Sequence, residues 1–555
     1  MYTHTQFLKK TILFFGLVLM ASCQNEDYDA LRQSSNSDVE PASEISFESI
    51  KFNENGELKL KFAQAFSNAL VANKDLRRLV KEEALKKFDK DYDVLYALVK
   101  NKSLIPTNYE GKVNGKVSNI LLAKSANALT LRESLLPFFN NEAELIEIEQ
   151  KLPLLTIFVP ELPLNSFSAE TWDINNEEQI PDVALRLNNT NDVPVIGKDG
   201  NKYVIEAELT PGFPIIVIKE NERVRIKNNS SKVSKSSKTT VFDTEFEFLD
   251  ANFDPNASTN TTPVTTTNGI DQVLIDSYNV WEGYASGGWQ RDYIYYGLTP
   301  TNTRGSINGN YREYISSFRM TGDPKLAFNA ISINSSPGDP EPGQVTDYRL
   351  GTSTGWTDGG FEFRVYVFYG SQSSADGLST IRAFNANPSD LFELKYTSYS
   401  RFNWPFKKTY IRTEIIATKN MDLLDPKFDT NLEIVTWDLS NYSNRWKFVF
   451  EEVDIPTKNS KTETFGSKFN MNFELNAAAG GIMEKVGLKF GAAYEQTKSN
   501  TYFVEWTTQS NNLGDSNVPF MDNVINKNPV TGQFVPRTYS TGLVEFGLRP
   551  IRVQW

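Results

Sequence analysis

A single cysteine in 555 residues is the feature that most narrows the choice of fold. Cys23 has no second thiol in the chain to pair with, so disulfides cannot staple the structure and ordinary hydrophobic cores must carry its stability. Histidine is as scarce, with His4 the only one. Both residues lie within the first 23 positions, so the fate of that segment decides which chemistries remain. The chain is 39% apolar, enough to bury real cores in several domains.

The opening segment has the pattern of a secretory signal. Lys9 and Lys10 precede an apolar run from Thr11 to Met20, too short to span about 30 Å of hydrocarbon, and the small residues Ala21 and Ser22 follow. Met20-Ala21-Ser22-Cys23 resembles the lipobox of bacterial lipoproteins, with Met20 where leucine is usual. The resemblance implies a signal peptide over 1–22, cleavage before Cys23 and a membrane anchor of lipid on Cys23, each buried methylene adding about 0.8 kcal/mol. Gln24 to Asp29 then packs three acids into six positions. That stretch resembles the surface-export signal of Bacteroidota lipoproteins, which implies a place on the cell outer membrane facing the exterior. A solvated tether is the plainer alternative, since acidic polar runs form one anyway. No other stretch approaches 18 consecutive apolar residues, so no further helix is expected to span a bilayer.

With the leader removed and Cys23 acylated, the chain would hold no imidazole and no thiol. Ser-His-Asp and Cys-His catalysis would be excluded, as would zinc, haem or iron–sulfur clusters held by histidine or cysteine. No cofactor and no metal is therefore expected. An enzyme would have to use carboxylates, lysine, tyrosine, a Ser-Lys pair or an oxygen-bound metal, and the balance leans away from an enzyme. The net charge of −12, spread along the chain, argues against nucleic acid as a partner.

Patterning predicts an α+β protein: a helical N-terminal region followed by a predominantly antiparallel β C-terminal region, sandwich-like or elongated. Residues 23–45 read as a flexible tether. Over 46–150 the stripe Phe62, Phe66, Ala69, Leu70, Leu76, Leu79 and Val80 has helical spacing, and apolar segments from Asp93 and from Leu129 extend the helical region. Residues 151–227 form a small α+β module, with strands at Leu154–Val159, Tyr203–Ile205 and Phe213–Ile218, a turn at Asp199-Gly200, and Pro194 arguing against a central strand around it. Residues 228–268 are Ser, Lys, Thr and Asn rich and read as a linker or long loops. From 269 to 555 strands are expected at Tyr293–Tyr296, Phe361–Tyr369, Tyr410–Ile416 and Trp446–Phe450. Ile551, Val553 and Trp555 alternate after Pro550, and a final strand at a domain edge is expected there.

Several constellations bear on function. Trp281 with Tyr284, Trp289, and Trp356 sit in Gly-rich loops beside Asp, Gln and Arg, the residue types that stack on sugar rings and take their hydroxyls. They are the candidate ligand-binding aromatics, with core packing as the alternative. Residues 465–477 and 486–495 alternate apolar and polar around a small-residue turn at Ala478–Gly481, long enough for a membrane hairpin. In an elongated β domain that pattern, ending at Trp506, resembles aerolysin-type pore-forming proteins and would imply membrane insertion; an ordinary hairpin on a core is the alternative. Asp89, Asp91 and Asp93 alternate as in a calcium loop, but Val94 and Lys100 stand where glycine and glutamate are needed, so a solvated helix end is expected. Glu451, Glu452 and Asp454 are acidic neighbours expected at the surface. The sequence thus points to a lipid-anchored, non-enzymatic binding or assembly protein for glycans or proteins, with a pore former and a carboxylate-dependent glycan hydrolase as alternatives.

Overall fold

A computed structural model describes residues 45–105, 109–113, 116–120, 129–187, 189–190, 192–207, 209–227, 243–257, 262–263, 270–282, 288–302, 305–332, 355–370, 379–403, 406–439, 441–453, 463–470, 501–508 and 511–554. Residues 1–44, with Cys23, the acidic stretch after it and nearly all of the expected tether, lie outside them, as do Tyr284 and Asp454. The fold is α+β with sheets that are mostly antiparallel, as the patterning predicts. Among the described residues no helix is long and apolar enough to cross a membrane.

In the first half, helix Glu54–Ala72 starts where the Asn53 side chain accepts the Gly56 N–H at 2.8 Å. Asn73 ends it and caps helix Lys74–Ala84 by accepting from Asp75 and Leu76. The striped residues Phe62, Phe66, Ala69, Leu70, Leu76 and Val80 are fully buried. They share one core with a six-stranded sheet ordered Asp93–Leu95, Leu155–Phe158, Ile215–Glu220, Asp182–Leu185, Val193–Ile196, Lys202–Ile205. That core runs from Phe47 to Ile218 and takes in Trp356 and Tyr410 from the second half. A boundary at 150 therefore cuts through a single unit, because the apolar stripe of the helices finds its cover in strands from the following segment. Nor is 46–150 purely helical: Asp93–Leu95 is an edge strand, and Tyr109–Val113 pairs with Lys116–Ile120. Pro194 does sit inside the sheet. The ladder to Asp182–Leu185 stops at Val195, one residue short of the proline.

In the second half, Tyr311–Met320 pairs along its whole length with Val544–Gln554, in a five-stranded sheet completed by Thr262–Pro263, Met421–Asp422 and Thr538–Ser540. A four-stranded sheet runs Ser379–Ala386, Phe361–Phe368, Arg445–Glu452, Asn511–Pro519. Rings from the two sheets meet in one core, Phe318 against Phe363 at 4.6 Å between centroids and Phe450 against Phe546 at 4.8 Å. This is sandwich packing.

Three expectations are corrected here. Tyr293–Tyr296 belongs to helix Gln290–Tyr296: Asp292 accepts the Trp289 N–H at 3.0 Å as its cap, and Gly297 ends it in the left-handed conformation. The stretch 228–268 is not all linker, since Phe246–Phe248 pairs with Val224–Ile226, and Phe246, Phe248 and Phe253 are buried with Leu95 and Ala383. The final strand lies between neighbours rather than at an edge. Pro550 opposes Glu313, whose backbone N–H and C=O bond instead to Val435 and Ile434. The proline thus occupies a pair without ladder hydrogen bonds and costs none.

Candidate functional site

The two halves meet along strand Leu209–Pro211, which leaves the first sheet's neighbourhood and pairs with Phe406–Thr418. Beside that seam lies a cleft of about 400 Å³, within the usual range for small-ligand sites. The first half gives it Asp91, Tyr92, Phe158 and the loop Glu161–Asn165. The second half gives Phe328, Trp356, Asn387, Ser389, Tyr396 and Thr413. Apolar ring faces are thereby placed next to carboxylate, amide and hydroxyl groups.

The lip of the cleft is strained. Leu164 and Asn165 both have positive φ, 57° and 54°, in a short turn opened by Pro163. Leu164 is 60% exposed while Leu162 beside it is buried, so the turn anchors itself with one leucine and presents the other to solvent. Two consecutive non-glycine residues in this region give the lip a sparsely populated backbone conformation. Gly359, at φ 94°, forms the opposite wall. A Cβ there would stand 2.3 Å from an Asp91 carboxylate oxygen, so glycine lets the wall close on the carboxylate.

Behind the cleft lies a buried charged network. Asp89 and Asp93 are 0% and 1% exposed, which overturns the reading of Asp89, Asp91 and Asp93 as a solvated helix end. The Asn221 side-chain N–H₂ donates to Asp89 at 2.7 Å and to Asp93 at 3.2 Å. Lys219 pairs with Asp93 at 3.3 Å and Glu222 at 2.8 Å. Arg223 spans the junction, donating to Glu362 of the second half at 2.7 Å and to Asp91 at 3.0 Å. Five acids thus face two bases. Burial pushes Asp89, Asp93 and Glu362 above the ordinary carboxylate range against the pull of Arg223 and Lys219. Burial opposes the charge of Lys219 and Arg223 as well, yet their acid neighbours hold both more firmly protonated than usual. Glu451 and Glu452, expected at the surface, are buried too, with Glu451 accepting from Arg364 at 2.9 Å. No group of three or more Asp and Glu among the described residues has metal-binding geometry.

The sequence-predicted aromatics do not converge. Trp356 lines the cleft at 5% exposure, its indole N–H buried without an acceptor among the described residues. Trp281 is buried against Gly288, and Trp289 packs edge-on to Phe520 at 6.1 Å beside the second core. Both are packing residues, and Trp356, besides lining the cleft, packs in the first core. Sequence reasoning missed Tyr92, Phe158 and Tyr396 because each sits in an ordinary strand or turn, and the seam alone brings them together. In the aromatic-alternating segment, Glu463–Asn470 pairs with Thr501–Thr508, joining Glu463 to Thr508. A turn at Ala478–Gly481 would have joined Glu463 to about Gln496 instead. Residues 471–500, and with them most of the 465–506 hairpin, lie outside the described residues.

Fold and cleft together define a two-part α+β protein with a ligand-sized site at its seam. No protein family, characterised protein or solved structure matches the chain.

Proposed function

We propose that the protein is a lipid-anchored binding protein of the cell outer membrane, displayed outward, whose seam cleft takes a glycan. The anchor rests on Lys9, Lys10, the run Thr11–Met20 and Cys23, and the outward face on the acids of Gln24–Asp29. The observation that carries the ligand reading is the cleft: about 400 Å³, lined by Trp356, Tyr92 and Tyr396 together with the polar residues Asn387, Ser389 and Thr413. Sugars need that combination, rings for their apolar faces and polar groups for their hydroxyls. Binding to a glycan array tests it. Trp356→Ala is expected to abolish the signal, whereas Trp289→Ala leaves it within about 2-fold; retention of binding by Trp356→Ala defeats the reading.

The ladder between Glu463–Asn470 and Thr501–Thr508, with 30 residues between its strands, favours a second reading, the aerolysin-like pore former. Dye release from liposomes, lost on deletion of 471–500, would support it. Asp91 and Glu161 share the cleft and would serve a carboxylate glycan hydrolase. Release of reducing sugar, lost in Glu161→Gln, would move the cleft to that class.

A further inference from the structure

The cleft carries charge of one sign only. Asp91 and Glu161 line it, and no lysine, arginine or histidine does among the described residues. Asp91 is already paired with Arg223. Glu161 is exposed on the lip and has no ion-pair or hydrogen-bond partner among the described residues. Glu170 adds a third carboxylate nearby, accepting from the Tyr92 hydroxyl at 2.7 Å.

The rings sort in the same way. Lys87 stands 4.0 Å from the centre of the Tyr92 ring, and Lys219 stands 4.7 Å from that of Phe158. The protein's own ammonium groups thus already use these rings as cation platforms. Among the described residues Trp356 and Tyr396 carry no such partner, and they face the cleft with Glu161. Trp356 is 5% exposed, so it offers the cleft only part of its ring.

Resting on the glycan reading above, we propose that the ligand is an amino sugar with a free, protonated amine. Its ammonium sits between Glu161 and the face of Trp356 or Tyr396. An N-acetylated or plain hexose lacks the cation and leaves Glu161 uncompensated.

Calorimetric titration of the purified full chain tests this with three tetrasaccharides: glucosamine, N-acetylglucosamine and glucose, all β-1,4-linked, at pH 6. The glucosamine tetramer is expected to bind at least 10-fold more tightly than the other two, with the gap narrowing as salt is raised. Glu161→Gln, an exposed substitution that leaves the fold intact, is expected to bring all three within about 2-fold. Binding of the neutral sugars as tightly as glucosamine overturns the cation subsite and leaves the glycan reading standing. An unchanged preference in Glu161→Gln also overturns it. Failure of every tetramer and of the glycan array removes the glycan reading itself.

Discussion

Leu164 holds left-handed backbone at a cost of roughly 1–2 kcal/mol, and Asn165, a residue type that tolerates this region, does so at a lower cost. Leu164→Gly relieves one of these, and glycine's extra freedom in the unfolded chain takes part of the gain back, so a net stabilisation of about 1 kcal/mol or less is expected. Calorimetric melting should show a higher Tm, and titration should show weaker glycan binding, because the lip loses its presented side chain. A Tm unchanged or lowered counts against stored strain. Strain of this kind was not legible in the sequence, since Pro-Leu-Asn is a plain loop tripeptide. Of the tryptophans in Gly-rich surroundings, Trp356 lines the cleft while also packing in the first core, and Trp281 and Trp289 are packing residues only. The alternating aspartates were misread for a different reason. Their partners, Asn221 and Arg223, lie some 130 residues away, and only those partners show that Asp89 and Asp93 are buried.

At the scale of elements, helix Gln290–Tyr296 carries its own pH dependence. Asp292 is 1% exposed, and burial raises its carboxyl to about 7, offset in part by the Trp289 N–H it accepts. The unfolded chain gives up that proton near pH 4, whereas the folded protein keeps it to about 7. The native state therefore binds more protons between those values. This group's contribution is complete below about pH 4 and is lost as pH rises through 7, at up to about 1.4 kcal/mol per unit. Asp292→Asn keeps the capping acceptor and removes the titration. Denaturant melts from pH 4 to 8 should show a shallower decline for the variant, and equal slopes would refute the assignment. Strands such as Phe361–Phe368 and Arg445–Glu452 were legible from their aromatic and β-branched content. The same content misled at Tyr293–Tyr296, where the cap and Gly297 outweigh the β preference of the tyrosines.

For the whole molecule, the α+β class followed from patterning, but the junction did not, because a seam between halves leaves no periodicity. Arg223 is the residue most committed to it, holding Asp91 and Glu362 at once. Arg223→Met should cost about 3–5 kcal/mol by stranding buried acids, and hydrogen exchange should rise together at 89–93 and 361–368. An unchanged melt with local exchange only would show that the halves hold together by other means. The shared strand has a further consequence for how the chain assembles. Leu209–Pro211 finds its neighbour in Phe406–Thr418, about 195 residues later. A polypeptide emerging amino end first must carry that segment unsatisfied until the later hairpin arrives, so completion of the first half is delayed by synthesis of the second. Chains terminated before 406 would leave Leu209–Pro211 without its ladder partner, an unpaired strand edge.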